Sequence, residues 1–374
     1  AREGMCGLVN TVPAGMAPGS DTANMAVMGF DPRRFYTGRS PIEAVSMSIE
    51  MEPGDIAFRC NLVTTTEEPV YADRTMVDHS SDEIASDEAA RLIELINEKM
   101  SGNGIRFYPG KSYRHCMIWK NGPLDVRLVP PHDILTQNIR PYLPVGDGAA
   151  RILSLLERSA EVLPDHPVSR ARKRRGVNPA NSIWIWGQGK RPELPNLSDT
   201  FGIKGSVISA VDLIQGLGIC AGLHVVEVPG ATGNIHTNFK GKAQAAIEEF
   251  RRGQDYVFLH VEAPDECGHR AEIENKVKSI ELIDREVIGP VWEYLEAARQ
   301  ATGEDYRILV MPDHPTPLVL RTHTGDPVPF ALYSSDGRYQ APTSGYDEER
   351  SRESGVYLEH GHQLFGRIIR GEKI

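Results

Sequence analysis

Two apolar runs in the last third of the chain, Tyr256–Val261 and Ile308–Met311, each stop at a turn that carries an aspartate and a histidine. The first run opens YVFLHVEAPDECGH and is followed by Asp265 and His269; the second opens RILVMPDHPTP and is followed by Asp313 and His314. Runs this short and this rich in β-branched and aromatic residues predict buried strands. Strands alternating with helices fold as α/β layers, whose open parallel sheets bind ligands beyond the carboxyl ends of the strands. The four side chains are therefore expected at one rim, and His323, in RTHTGDPVPF, adds a third imidazole. If PDECGH opens a helix, Asp265 and His269 stand one turn apart on the same face. A donor set of carboxylates and imidazoles suits Zn²⁺ or Mn²⁺, with Mg²⁺ less favoured. One Asp-x-x-x-His alone reads more readily as a helix cap beside a loop histidine. Two such turns, each closing an apolar strand, point to a metal centre with two ions.

The 374 residues suffice for two domains or one large α/β domain with a substantial core. A formal net charge of −10 argues against nucleic acid as a partner, while leaving room for an anionic substrate at a metal site. Cys6, Cys60, Cys116, Cys220 and Cys267 are odd in number and lack CxxC spacing, which predicts reduced thiols in a cytoplasmic protein. No apolar stretch reaches membrane-spanning length.

At the start, Ala1–Gly4 reads as the last turn of a helix closed by a glycine, implying residues upstream. Leu8–Val12 is an expected strand, and a Pro/Gly-rich loop then leads to Ser20 and a helix over Thr22–Met28. Ser20 is either an N-cap or a nucleophile at a helix amino terminus, where the dipole and free N–H groups favour phosphate.

From about Ser40 to Asn178 the pattern is that of an inserted α+β domain. Strands are expected at Asp55–Thr66, Arg106–Tyr108 and Tyr113–Trp119, and helices at Ser80–Met100, with Ser86 as N-cap, and Arg151–Leu163. The basic run Ser169–Gly176 reads as a solvated linker. Arg59, Arg114 and His115 lie on or beside strands, where a charge needs a partner, so each is a structural ion pair or an anion ligand. His132 and Asp133 are weaker candidates of the same kind.

From Asn181 the chain is expected to return to the main sheet through SIWIWGQGKRP, with Trp184 and Trp186 as core. Helices at Ala210–Leu217, Lys242–Arg252 and Glu274–Ala298 alternate with strands at Leu223–Val228, Tyr256–Val261 and Arg307–Met311. Pro329–Tyr333 is an expected edge strand, and His360 and His362 open a terminal helix as capping or core groups. The fold class is α/β, a parallel sheet with helices on both faces. Its core domain comprises residues 1–40 and 179–374, with residues 41–178 inserted.

PGSDTANM, APDECGH, MPDH and THTGDPVPF, in this order, resemble the archaeal-type cofactor-independent phosphoglycerate mutases of the alkaline phosphatase superfamily. The similarity extends through FRCNLVT, SYRH, IWIWGQGKRP and FGIKGSVISAVDLIQGLGI. Relatives of the same architecture include proposed homoserine kinases and other phosphotransferases.

The resemblance implies an alkaline-phosphatase-like sheet whose inserted domain caps a two-metal site. It makes Ser20 the residue that is phosphorylated and that also touches one ion. Asp313 and His314 are ligands of that ion; Asp265, His269 and His323 are ligands of the other. The divalent ions would be Mn²⁺, Zn²⁺ or Mg²⁺. Arg59, Arg114, His115, Lys204 and Arg270 become candidate ligands of a small phosphorylated glycerate. The family's aspartate in an Asp-Gly turn after its first strand has no counterpart here, so one ligand and one core strand are expected to be missing. The implied reaction is the interconversion of 3-phosphoglycerate and 2-phosphoglycerate through phosphoserine, with water excluded. Kinase-like or phosphatase-like chemistry on the same motifs is the alternative.

Overall fold

The structure, a computed structural model, describes residues 1–374. It divides into two compact units, one of Ala1–Tyr36 with Glu193–Ile374 and one of Thr37–Pro192.

The first unit begins with strand β1 (Met5–Val9), then helices α1 (Ser20–Val27) and α2 (Pro32–Phe35). Ala1–Gly4 is not helical: the Ala1 and Gly4 carbonyls accept from the Thr343 and Ala341 N–H groups, which ties the segment alongside another stretch of chain.

The second unit runs through α3 (Arg39–Ser46), β2 (Ile56–Thr65), β3 (Met76–Asp78), α4 (Ser86–Met100), β4 (Ile105–Tyr108) and β5 (Arg114–Trp119). A short pair, β6 (Val126–Arg127) and β7 (Val145–Gly146), precedes α5 (Ala149–Val162), α6 (Pro167–Arg174) and β8 (Ser182–Lys190). Its main sheet has the order β3-β2-β5-β4, with β8 also on β2. Alternate residues Ile56, Phe58, Cys60 and Leu62 of β2 are fully buried in a core shared with Ala89, Leu92, Ile93 and Ile96 of α4. The period of two on the strand meets spacings of three and four on the helix, and burial of both stripes drives this unit together.

Three expectations fail here. β8 belongs to this unit, antiparallel to β2 from Ile56 opposite Lys190 to Val63 opposite Ser182. Trp184 explains why: its ring fills this core, and its indole N–H donates to the Val129 carbonyl. The basic run is no linker. It forms α6, where Arg172, 5% exposed, pairs with Glu88 at 2.6 Å and so neutralises a buried charge. Ser86 is the first helical residue and its hydroxyl accepts from Ser112 N–H, leaving Ala85 as an N-cap without a side-chain bond.

The first unit resumes with α7 (Leu197–Phe201), β9 (Gly205–Ile208), α8 (Asp212–Cys220), β10 (His224–Val226), α9 (Phe239–Arg251) and β11 (Tyr256–Leu259). Then come α10 (Ala263–His269), α11 (Ile273–Ile283), α12 (Gly289–Thr302), β12 (Arg307–Val310), β13 (Val328–Ser334), α13 (Glu348–Glu353), β14 (Tyr357–Leu358) and α14 (His362–Arg370). The helix α9 starts three residues earlier than expected because the Asn238 side chain caps it, accepting from Gly241 N–H at 2.8 Å. The long helix expected after Glu274 is divided by a π-helical stretch, Asp284–Ile288, directly before Gly289-Pro290. A wider turn accommodates the ring and the missing N–H of Pro290.

In place of one parallel sheet there are two. β10-β9-β11 is parallel throughout, whereas β12-β13-β1-β14 is mixed, with β13 antiparallel to both its neighbours. β13 is therefore internal and not an edge. Its Pro329 is tolerated because β12 pairs only with Ala331–Ser334, so the absent N–H falls beyond that ladder.

Candidate metal centre

Gly19, in extended conformation, is the N-cap of α1, so the Ser20 hydroxyl is not spent on capping. Ser20 Oγ lies 3.0 Å from His314 Nε2. His314 Nε2 is in turn 3.3 Å from Asp313 Oδ2. Both residues follow β12, as the apolar run predicted.

On the turn after β11, Pro264 occupies the first turn of α10, where its missing N–H costs nothing. Asp265 and His269 then stand on one helical face, Oδ2 to Nε2 at 3.2 Å. His323 Nε2 closes this group, 2.9 Å from His269 Nε2 and 3.3 Å from Asp265 Oδ1. The two groups adjoin, since donor atoms of Asp265, His314 and His323 all lie within 4.8 Å of one another. All six residues singled out from the sequence for this centre are thus brought together in the first unit.

Neighbouring groups fix their orientations. His269 Nδ1 donates to the Arg321 carbonyl at 3.0 Å, which leaves Nε2 as the nitrogen available to an ion. Thr316 Oγ1 donates to Asp265 Oδ1 at 2.5 Å. Thr11 Oγ1 donates to the Asp313 carbonyl, and Asn24 Nδ2 to Asp313 Oδ2 at 2.7 Å. Burial opposes charge on Asp265, but hydrogen bonds from His323 and Thr316 outweigh it and hold the carboxyl down at about 2. Burial also opposes charge on His323, yet the Asp265 carboxylate raises its pKa. His314, 4% exposed, is pushed down by burial. An ionised carboxylate among close imidazole nitrogens, each with its other side engaged or buried, is a donor set that fits a divalent cation.

The remaining candidates fall elsewhere. Lys204 is exposed and precedes β9, and its backbone bonds to Asp255, which precedes the parallel strand β11. It therefore marks the amino-terminal rim of these strands, opposite to the end where Asp265 sits. Arg270 is exposed and paired with Glu266 one helical turn earlier. In the second unit, cross-strand register puts Arg59 and Cys116, and Asn61 and Arg114, on one face of the sheet. His115, opposite Cys60, points to the other face and is 4% exposed, so it cannot share a ligand with Arg59. Arg59 pairs with Glu43 at 3.2 Å and lies over the ring of Trp186 at 4.5 Å, which makes Trp186 a stacking partner as well as core. Arg39 shares the Glu43 carboxylate, at 2.7 Å.

Sequence inspection did not single out Asn24, Thr11 or Thr316. Asn24 alone left a signal, standing one helical turn after Ser20.

Fold and site together define an α/β protein in which a serine at a helix amino terminus adjoins an Asp/His centre of metal-binding type. The family model of 2,3-bisphosphoglycerate-independent phosphoglycerate mutase matches residues 1–169. A probable mutase of that name from Geobacter sulfurreducens is 49% identical, over 99% of this chain and 90% of the relative. The one from Methanothrix thermoacetophila is 46% identical over 99% of this chain and 91% of its own. Among solved structures, a Pyrococcus horikoshii protein superimposes with a TM-score of 0.78 at 25% identity, over 100% of this chain and 89% of that one. A cofactor-independent phosphoglycerate mutase from Thermoplasma acidophilum shares the fold, with a TM-score of 0.63 at 21% identity over 99% of this chain and 90% of its own. The chain belongs to the 2,3-bisphosphoglycerate-independent phosphoglycerate mutases.

Proposed function

We propose that this protein interconverts 3-phosphoglycerate and 2-phosphoglycerate through a phosphoserine at Ser20. The observation that carries the reading is the uncapped Ser20 hydroxyl, 3.0 Å from His314 Nε2 and beside the Asp/His centre. Ser20, Asp313 and His314 would hold one divalent ion, and Asp265, His269 and His323 the other, with Mn²⁺ or Zn²⁺ favoured by the imidazoles. Such ions, when bound, lower the pKa of a serine hydroxyl and offset phosphoryl charge.

Within this reading Ser20 Oγ takes the phosphoryl group from one glycerate oxygen, whose bond to phosphorus breaks, and the serine proton passes to that departing oxygen. In the return step the neighbouring hydroxyl attacks the phosphoserine, the Oγ–P bond breaks, and that hydroxyl's proton passes back to Ser20 Oγ. Of the N–H groups at the start of α1, that of Thr22 is taken by the Asp21 carboxylate at 2.9 Å, so those of Ser20 and Asp21 are assigned to the anion during both transfers. Arg59 and Arg114, on one sheet face of the second unit, are assigned to the substrate's anionic end. That unit is assigned the part of the inserted α+β cap domain, keeping water from the phosphoserine. Lys204, Arg270 and His115 are given no part.

β11 and β12 each leave one edge without a strand partner, and both deliver their carboxyl-terminal turns to the same centre. Their residues are only half-buried. These open edges favour one further strand between them, joining the two sheets into a single alkaline-phosphatase-like sheet. No helix is long and apolar enough to cross a membrane, and a cytoplasmic site of action is proposed with the activity.

The test uses metal-stripped protein reloaded with Mn²⁺ and given 3-phosphoglycerate without bisphosphoglycerate, followed by phosphorus NMR. Metal-dependent 2-phosphoglycerate, abolished in Ser20→Ala, is expected. Free phosphate alone would show a phosphatase; turnover of ATP with homoserine in place of mutase activity would show a kinase. Undiminished mutase activity in Ser20→Ala would remove Ser20 as nucleophile.

A further inference from the structure

We infer that Asn24 is a positioning residue that locks the nucleophile and a metal ligand into one geometry; the inference rests on the proposed roles of Ser20 and Asp313. Asn24 is 1% exposed and lies inside α1, a position that asparagine disfavours because its side chain competes with the backbone. Its amide nitrogen donates to the Ser20 carbonyl at 2.9 Å and to Asp313 Oδ2 at 2.7 Å. Both partners are pure acceptors, so the nitrogen and not the oxygen must face them, and the two amide hydrogens are both used.

The acceptor is the oxygen that matters. Asp313 Oδ1 is occupied by the His314 backbone N–H at 3.0 Å, and Thr11 holds the Asp313 carbonyl. Rotation of the carboxyl group about its remaining freedom is stopped by Asn24, which leaves Oδ2 beside His314 Nε2 at 3.3 Å. The same amide grips the peptide of Ser20, whose hydroxyl lies 3.0 Å from that nitrogen. One side chain thus sets the spacing between the attacking oxygen on α1 and the carboxylate after β12. Few other residue types can do this, because the task needs two donors on one short, planar, uncharged head.

Interactions that align reacting groups are expressed in kcat more than in KM. Asn24→Ala, and the isosteric Asn24→Asp that loses both donors, should each lower kcat about 10- to 100-fold with KM changed less than about threefold, and should slow phosphoserine formation in a single-turnover chase analysed by mass spectrometry. Mn²⁺ affinity of the substrate-free protein, read by electron paramagnetic resonance, should weaken about 10- to 100-fold in Asn24→Ala, as for other groups that orient ligands. Circular dichroism and melting curves identify which variants are folded at the assay temperature. A folded variant with native Mn²⁺ affinity and native kcat would overturn the inference, and so would a loss confined to melting temperature. Ser20→Ala run in parallel separates the two levels: if it keeps full activity, the nucleophile assignment fails first. If it is dead while both Asn24 variants behave as the native protein, only the positioning role fails.

Discussion

His115 shows how much a single strand position decides. Read along the sequence, SYRH offers Arg114 and His115 as neighbours able to share an anion. Across the sheet they are on opposite faces, because successive strand residues alternate. The imidazole is enclosed, its Nδ1 accepting from Gly110 N–H at 3.0 Å and its Nε2 buried without a partner. Burial pushes its pKa down to about 3, against about 6.5 in an unfolded chain. The sign follows from proton binding. Below about pH 6.5 the unfolded chain takes a proton that the folded chain refuses until about pH 3, so stability falls as pH drops across that window and levels off beneath it. The slope is at most about 1.4 kcal/mol per pH unit for this one group. His115→Asn places an amide oxygen where Nδ1 accepts and cannot titrate. Urea midpoints followed by tryptophan fluorescence should fall less between pH 7 and pH 4 in the variant than in the native chain. Trp119, Trp184 and Trp186 of this unit dominate that signal over Trp292. Equal slopes in the two proteins would exclude His115 as the sensor.

At the scale of elements, the sequence exposed what is local and hid what is pairwise. The two runs ending in Asp/His turns became β11 with α10 and β12 with its loop, because apolar runs and helix starts are written in contiguous residues. Ser20, Asp265, His269, Asp313, His314 and His323 were legible for the same reason. The owner of β8, the internal place of β13 and the opposite-end position of Lys204 were not, since each depends on which strand lies alongside, and one strand carries no label for its partner. Thr316 was hidden too: a threonine in a loop acquires its role only when Asp265 arrives 2.5 Å away. Close packing between elements can nonetheless be tested at one position. Gly218 of α8 lies so near β9 that a Cβ there would come within 2.4 Å of Val207 Cγ1. Gly218→Ala should therefore push the helix off the sheet and cost about 1–3 kcal/mol. The melting temperature should drop by about 2–4 °C for each kcal/mol in a unit of this size. Adding Val207→Ala makes room for the methyl group, so the double variant should be more stable than the sum of the two single losses implies. Simple additivity would mean that this contact does not set the helix position.

For the molecule as a whole, the division of labour between the two units makes a thermodynamic prediction. Each unit has its own buried apolar cluster, one built on β2, α4 and α5 and another on β1, β13 and α14. The group of metal-type donors lies entirely in the unit of Ala1–Tyr36 and Glu193–Ile374. A ligand that binds only folded protein stabilises it by RT ln(1 + [L]/Kd), about 2.7 kcal/mol per ion at 100 times Kd. The two ions proposed above would together supply about 5 kcal/mol at that concentration, raising the melting temperature of a unit of this size by on the order of 10 °C. Scanning calorimetry of metal-stripped protein, with and without Mn²⁺, reads this directly. Where the two units melt as separate transitions, that of the unit of Ala1–Tyr36 and Glu193–Ile374 should move up with Mn²⁺ and the other should stay. His323→Ala should remove roughly half of the rise, because Asp265 and His269 alone make a poor site while Asp313 and His314 are left intact. A full rise in Asp265→Ala would place the ion on other residues, and a rise confined to the unit of Thr37–Pro192 would refute the assignment of the centre altogether. The pre-formed contacts of Asp265, His269 and His323 carry a further consequence. Because the donors already touch one another, metal binding requires little ordering of the chain, and the rise should appear without a change in far-ultraviolet circular dichroism.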